Sequence, residues 1–282
     1  MTRFSQDVLA TCSREKPTHL LAAGLMPVQS EDLRKIGATG IQTLAFLTDD
    51  PWNPAQRSRW FHRSLNQYDY VFSPRKANLQ DLRDHGCRRV HYLPFAYSPD
   101  VHLSTTTEQI GVNGKDVLFV GGADAERLPY IRALVLAGFS VALYGGYWDL
   151  HKDLRTHWHG HANLDTLRRM TLAAKISLCL GRRANRDGHA MRSFEAPAMA
   201  GCMLIEDTHE HREIFGPDGQ SVTYFRTIPE MVARAQWLLA RDNERLRLRY
   251  AAHSLITTGH NTYEHRLVTM LKTAGLKTDI VQ

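Results

Sequence analysis

The stretch DVLFVGGADAERLPYIRALVLAGFSVALYGG, Asp116 to Gly146, decides the fold. It opens with an apolar run from Val117 to Val120 and halts at Gly121–Gly122. It then passes through RLPYIRALVLAG, closed by Gly138, and returns as SVALY before Gly145–Gly146. A short unbroken apolar run between glycines reads as a strand buried on both faces. The segment between the two runs is long enough for a helix and stops at glycine, a normal helix end. Strand, helix and strand in that order imply a parallel pair with a crossover helix.

The same alternation continues on both sides. Toward the C-terminus, NLDTLRRMTLAAK reads as helix, ISLCLG as strand, SFEAPAMAG as a short helix, and CMLIED and SVTYF as strands. The segments IPEMVARAQWLLARDNERLRLRYAAHSLI and TYEHRLVTMLKTAGL read as helical. Toward the N-terminus, THLLAAG, TLAFLTDD, DYVFSP and RVHYLPFA read as strands, with helices at SEDLRKIGA and RKANLQDLRDHG. Between the two series, SPDVHLSTTTEQIGVNGK is polar, Thr-rich and broken by glycine, as a linker is. The expected organisation is an N-terminal domain over 1–103, a linker over 104–115 and a C-terminal domain over 116–282. Two Rossmann-like α/β domains of this kind are expected to face a cleft at the carboxyl ends of their strands.

Bulk properties agree with a globular chain. Its 282 residues are 43% hydrophobic and 23% charged, enough for one large or two medium domains. The apolar runs are broken well short of a membrane span. The N-terminal MTRFSQDVLATCSREKP lacks an apolar core before a small-residue cleavage site, so no signal peptide is read and the default compartment is cytoplasmic. A net charge of +6 suits an anionic ligand, peripheral contact with an acidic membrane surface, or nucleic acid, and selects none. No Lys/Arg block interleaves with aromatics, which argues against a nucleic-acid partner. Cys12, Cys87, Cys179 and Cys202 form no C-x-x-C pair, so neither a disulfide framework nor a thiolate zinc site is expected. His157, His159 and His161 alternate but lack an acidic or Cys neighbour, and Gly160 interrupts them; no metal is expected.

Chemistry concentrates in GRRANRDGHAMR, residues 181–192, followed by SFEAP. Arg182, Arg183, Arg186 and Arg192 with His189 follow a strand and lead into a helix. Guanidiniums, backbone N–H groups and a positive helix end at one place suit a phosphate. Glu195 has two readings. With Ser193 as N-cap and Pro197 near the first turn, it is an acid compensating the helix dipole; beside the arginines it is a ligand residue. Gly121–Gly122 with Arg127, and Gly145–Gly146, are either tight strand-to-helix turns or places where backbone approaches a ligand phosphate. They match no G-x-G-x-x-G or Walker pattern. Asp49 and Asp50 end a strand in LTDDPW, as an Asp-Pro turn or as acceptor ligands or a base.

The ordered set LYGGYWD, RSFEAPAMAG, MLIED, EIF and HNTYEHR resembles the C-terminal half of CgeB-like (spore maturation protein-like) glycosyltransferases of the GT-B fold, over roughly 117–270. LTDDPW, YDYVFSPRKANLQDLRDHG and VHYLPFAYSPDVH are similar to that family's N-terminal domain, which is usually longer than the segment before the linker here, so a shortened acceptor-side domain is expected. The resemblance implies transfer of a sugar from a nucleotide-sugar donor to a glycan, lipid-linked or protein acceptor, with retention and without a metal or other cofactor. In the wider retaining group an E-x7-E pair lines the donor site. Here it falls on Asp187 and Glu195, the first an Asp where the pattern has Glu. The resemblance places Glu195 on the ribose and Asp187 on the sugar, with Arg182, Arg183 and Arg192 beside the diphosphate; position and residue type add Gly121, Gly122, Arg127, Gly145 and His189 around the donor, and Asp49 facing the cleft. Two other readings stay open: a non-catalytic nucleotide- or glycan-binding module, and inverting transfer with Asp49 or Asp50 as base.

Overall fold

A computed structural model describes residues 2–103 and 114–276 of the chain. In order, the elements are α1 (Thr2–Glu15), β1 (His19–Ala23), α2 (Ser30–Ala38), β2 (Gln42–Phe46), α3 (Arg59–Leu65), β3 (Tyr70–Ser73), α4 (Asn78–Asp84), β4 (Val90–Tyr92) and α5 (Pro99–His102). Then follow β5 (Val117–Val120), α6 (Leu128–Leu136), β6 (Val141–Tyr144), α7 (Leu164–Ala173), β7 (Ile176–Cys179), α8 (Arg192–Ala198), β8 (Met203–Glu206), α9 (His209–Phe215), β9 (Thr223–Phe225), α10 (Ile228–Leu239), α11 (Asp242–Thr258) and α12 (Tyr263–Thr273). The fold is α/β with two all-parallel sheets, as the strand-helix alternation implies.

Packing divides the chain into two units. The first comprises Met1–Pro94, Arg183–Asp187 and Glu264–Gln282; the second comprises Phe95–Arg182 and Gly188–Tyr263. This differs from a division at a single linker. Most of the expected linker, 104–113, lies outside the described residues, while Phe95 to Leu103 packs within the second unit. Tyr97 holds that segment there: its N–H donates to the Asn261 carbonyl at 3.0 Å, and its carbonyl accepts from Tyr263 N–H at 3.0 Å.

In the first unit the strand order is β1-β2-β3-β4, advancing one way without reversal. Its core joins Leu33, Ala45, Leu47, Phe61, Leu65, Tyr68, Val71 and Leu82. Helix α2 covers the residues read from sequence and buries Leu33 and Ile36, one face of a 3.6-residue period. Helix α1 was not read from the sequence; it buries Ser5 and Cys12 and packs Val8, Leu9 and Cys12 against Ile36 and Ile41. Ser5 Oγ donates to Asp32 on α2 and accepts the Gln29 N–H, so tertiary hydrogen bonds add to that apolar contact.

In the second unit the order is β6-β5-β7-β8-β9. The chain leaves β5 to one side, returns past it, and then advances to the other side. The strand order therefore reverses between β5 and β7, the switch point at which open α/β sheets bind ligands outside their carboxyl ends. Val117, Phe119, Val141, Leu143, Ile176 and Leu178 form one face with Ile131 and Leu134 of α6 and Met231, Ala235 and Leu238 of α10. Leu118, Ala142 and Tyr144 form the other face with Met170 of α7. Both faces are buried, which is why these strands are apolar throughout. The long C-terminal helical stretch is broken at Arg241, whose φ of −137° and ψ of 78° leave the helical region, so α10 and α11 are separate helices. All four cysteines are free and buried, and burial pushes the Cys179 and Cys202 thiols up to about 11.

Arg249 on α11 is 2% exposed and reaches back to the end of α7, donating to the Leu172 carbonyl at 2.8 Å and the Ala174 carbonyl at 2.7 Å. It thus satisfies two carbonyls near a helix end. Arg249→Met is expected to leave both without that donor and to lower unfolding stability by about 2–3 kcal/mol, read from the urea midpoint at unchanged m-value.

Candidate functional site

The carboxyl ends of β5 and β6 carry the two glycine pairs, and backbone contact joins them. Gly121 N–H donates to the Tyr144 carbonyl at 2.8 Å, and Ala123 N–H to the Gly146 carbonyl at 2.9 Å. Gly145 has φ +129°, and a Cβ there would stand 2.4 Å from the Gly121 carbonyl oxygen. Only glycine fits both the dihedral and the approach. Two tryptophans hold the turns from below: Trp148 Nε1 donates to the Gly121 carbonyl and Trp158 Nε1 to the Gly145 carbonyl, each at 2.8 Å. Trp148 is fully buried, whereas its neighbour Tyr147 is 66% exposed with φ +70°. Arg127 precedes α6 and stays largely buried. Its guanidinium lies over Phe119, 5.5 Å from the ring centroid, and Nη1 donates to the Gly122 carbonyl at 3.1 Å. The structure therefore brings Gly121, Gly122, Arg127 and Gly145 together at one edge of the sheet.

Beyond the switch point, Gly181 N–H donates to Glu206 at 2.6 Å, tying the end of β7 to β8. Arg182 follows it, half-buried. Helix α8 begins at Arg192, one residue earlier than the Ser193 cap read from sequence. Ser193 Oγ does accept a backbone N–H, that of Ala190 at 3.1 Å, but its second bond goes to His211 Nε2 at 2.9 Å. Pro197 sits inside the helix rather than in its first turn; the helix ends one residue later, so little of the hydrogen-bond ladder follows it. Gly201 ends the approach to β7, where a Cβ would stand 2.7 Å from Ser177 Oγ.

Arg192 and Glu195 meet on α8. Arg192 Nη1 donates to Glu195 Oε2, and Glu195 Oε1 lies 3.6 Å from His102 Nε2. His102 was not singled out in the sequence. The spacing in SPDVH carries the signal: His102 Nδ1 lies 2.9 Å from Ser98 N and 3.0 Å from the Ser98 carbonyl, which leaves Nε2 facing Glu195. Burial lowers the His102 pKa, and Glu195 partly opposes that. His189 is fully buried. Its Nε2 accepts the Phe95 N–H at 3.2 Å and its Nδ1 bonds Glu210 at 2.6 Å, so both ring nitrogens are engaged within the protein. Gly188 makes room for that pair, because a Cβ would stand 2.4 Å from the Glu210 carboxyl carbon.

In the first unit the loop Arg183–Asp187 is bound by charge. Asp187 Oδ1 accepts from Arg75 Nε at 2.6 Å, and Arg75, 2% exposed, also donates to the Thr48 carbonyl at 3.0 Å. Arg186, at φ +51°, grips Asp50 through Nε at 2.6 Å and Nη2 at 3.1 Å, and reaches Asp81 at 2.6 Å. Asp50 also accepts from Trp52 N–H and from Asn78 Nδ2. Asp49 is half-buried and accepts from Asn185 Nδ2 at 3.1 Å; Arg183 is exposed. The arginines of the loop are thus spread over different duties. Arg186 neutralises carboxylates, Arg192 pairs with Glu195, and Asp187 is tied to Arg75. The histidine triplet is also dispersed: His159 stacks on Tyr144 at 5.4 Å, and Gly160, at φ +81°, ends the alternation. Among the described residues no group of three or more His, Cys, Asp or Glu is placed to hold a metal ion.

A family model described as glycosyl transferase-like matches residues 127–272, and the chain belongs to that family. The fold is shared with GT-B glycosyltransferase structures. A sucrose-phosphate synthase from Thermosynechococcus elongatus superposes with a TM-score of 0.70 at 11% identity, over 97% of this chain and 77% of that one. Anabaena HepE, solved with UDP and glucose, gives 0.68 at 12% identity, over 96% and 81%. TarM gives 0.63 at 12% identity over 90% of this chain, which spans 54% of TarM. No curated protein matches the chain in sequence.

Two outcomes test this architecture. Gly145→Ala is expected to destabilise the second unit by roughly 3 kcal/mol or more, seen as a lower melting temperature, since strain and clash coincide. His211 supplies a pH signature. Its Nδ1 donates to the Glu206 carbonyl, and burial lowers its pKa from 6.5 to about 4. The unfolded chain takes up this proton at higher pH than the folded one. The stability it contributes is therefore complete above pH 6.5 and falls as the pH drops toward 4, by at most about 1.4 kcal/mol per pH unit. His211→Gln is expected to be less stable at neutral pH and to lose this slope in denaturant titrations.

Proposed function

We propose that the protein transfers a sugar from a nucleotide-sugar donor to an acceptor, with the donor held by the second unit and the anomeric configuration retained. The observation that carries the reading is the Arg192–Glu195 pair following the β5/β7 switch point, inside the family match. A carboxylate with two lone-pair-rich oxygens suits the vicinal hydroxyls of ribose, and the hydrogen bond from Arg192 fixes its orientation. UDP is the first donor nucleotide to try. HepE was solved with UDP and glucose, the pneumococcal GtfA with UDP and GlcNAc, and a TarM mutant with UDP.

In this reading the departing diphosphate gathers charge as the sugar leaves. Arg192 and the Gly122 N–H offset that charge, and Arg127 braces the turn. Asp187 takes a different part from the one its spacing implies. With its carboxylate on Arg75, it shapes the loop before α8, and Asp49 is the carboxylate we assign to the acceptor side. The narrower CgeB-like placement and a cytoplasmic location belong to this proposal. No helix among the described residues is long and apolar enough to cross a membrane.

Calorimetric titration with UDP, GDP, dTDP and their sugars tests it. Wild type is expected to bind one nucleotide, and Glu195→Ala to bind it at least about tenfold more weakly, equivalent to about 1.4 kcal/mol. Failure of every nucleotide to bind, or unchanged affinity in Glu195→Ala, rejects the site. Slow hydrolysis of the bound donor supports a transferase. Binding with no turnover of any donor assigns the chain to a non-catalytic module.

A further inference from the structure

We propose a second anion site, for a phosphate group, in the first unit, built by Arg83, Arg88, Arg89, His91 and Tyr70 at the amino ends of β3 and β4. These residues, with Val90 and Thr273, line a recess of about 450 Å³. Because the sheet is parallel, this is the edge opposite the one from which the Asp49–Asp50 loop leaves β2. The recess is therefore separate from any chemistry at those carboxylates.

Local structure explains why the cations gather there. Helix α4 ends at Asp84, and two residues on Gly86, at φ +93°, reverses the chain. Cys87 is buried and its Sγ donates to the Leu65 carbonyl at 3.6 Å, anchoring the turn. Arg88 and Arg89 then enter β4, and the Arg89 carbonyl accepts the Val71 N–H at 2.8 Å, so the backbone beneath the cations is part of the sheet. Two-residue alternation puts Arg89 and His91 on one face of β4, beside Tyr70 and Phe72 of β3. The Arg89 guanidinium lies 4.7 Å from the Tyr70 ring centroid, and His91 stacks on Phe72 at 5.3 Å.

What distinguishes this group from the other arginine clusters is the absence of acid. Arg75, Arg132, Arg186, Arg192, Arg212, Arg226, Arg234, Arg245 and Arg247 all pair with carboxylates. Among the described residues, Arg83, Arg88 and Arg89 form no ion pair. The nearby acids are committed elsewhere: Asp81 to Arg186, Asp84 to Gln80, and Asp69 to Thr43. His91 Nε2 is buried with no hydrogen-bond partner. Burial, then Arg83 and Arg89, lower its pKa, which registers uncompensated positive charge at the recess. Three fork-shaped donors around one concavity suit a tetrahedral, doubly charged oxyanion better than a lone carboxylate.

Inorganic phosphate titrated into the full chain at constant ionic strength is expected to bind. The variant Arg83→Ala/Arg88→Ala/Arg89→Ala should bind it at least about tenfold more weakly while UDP affinity stays at the wild-type value. Equal phosphate affinity in both proteins overturns the site, as does parallel loss of UDP binding. All three arginines are exposed, so folding should survive; Arg88→Gln/Arg89→Gln is the milder variant if it does not, with about threefold weakening expected. In the wild type, the His91 ring followed by NMR should titrate at higher pH with phosphate than with chloride, because the bound anion offsets Arg83 and Arg89; an unmoved His91 overturns the proposal. Vesicles locate the source of the phosphate. Cosedimentation with phosphatidylglycerol but not phosphatidylcholine, lost in the triple variant, assigns it to a lipid headgroup. Phosphate binding without cosedimentation assigns it to a free phosphorylated ligand. Binding of neither rejects the site.

Discussion

The approach of Gly145 to the Gly121 carbonyl is the constraint on which the second unit's site depends. With a Cβ at 145 the turns after β5 and β6 could not meet, and the indole donors of Trp148 and Trp158 would lose the carbonyls they hold. The meeting point stands beside the reversal of strand order. Backbone there is drawn tight, with Gly121 N–H on the Tyr144 carbonyl and Ala123 N–H on the Gly146 carbonyl. Arg127 adds charge at this edge without exposing itself, because its guanidinium lies over Phe119 and reaches back to the Gly122 carbonyl.

Charge is partitioned with equal economy. The chain carries 35 Lys and Arg against 29 Asp and Glu, yet its buried arginines are matched to acids or carbonyls. Arg75 and Asp187 illustrate why this matters. Both are nearly inaccessible to water, and a buried charge left without its partner costs several kcal/mol, so the pair settles the path of the loop Arg183–Asp187. The same reasoning makes the recess beside β4 informative: there the positive excess is not cancelled internally.

Much of the fold was legible from residues alone. Short apolar runs marked the nine strands named in the described chain; β3, β6 and β7 are buried at every residue, whereas the edge strands β1 and β4 are partly exposed. Helix α2 was legible to the residue because it has one apolar face and a glycine just beyond its end. Helix α1 was not, because its apolar face is only Val8, Leu9 and Cys12 among polar residues, and a buried Ser5–Asp32 hydrogen bond completes its docking on α2. Of the candidate site, the glycine pairs, Arg192 and Glu195 were legible in local sequence, but the ion pair between Arg192 and Glu195 was not: the spacing pairs Glu195 with Asp187. His102 was missed because it reaches Glu195 from a helix ninety-odd residues away.

By itself, the sequence determined the α/β class, the parallel strands and the places where backbone must turn without a side chain, all properties of neighbouring residues. Tertiary structure alone decided which charges are spent. GRRANRDGHAMR reads as one basic loop, yet Arg186 goes to Asp50 and Asp81, Asp187 to Arg75, His189 to Glu210 and Arg192 to Glu195. The physical reason is that ion pairing depends on distance in space. In the low dielectric of a folded interior the nearest carboxylate captures a guanidinium, however far along the chain it lies.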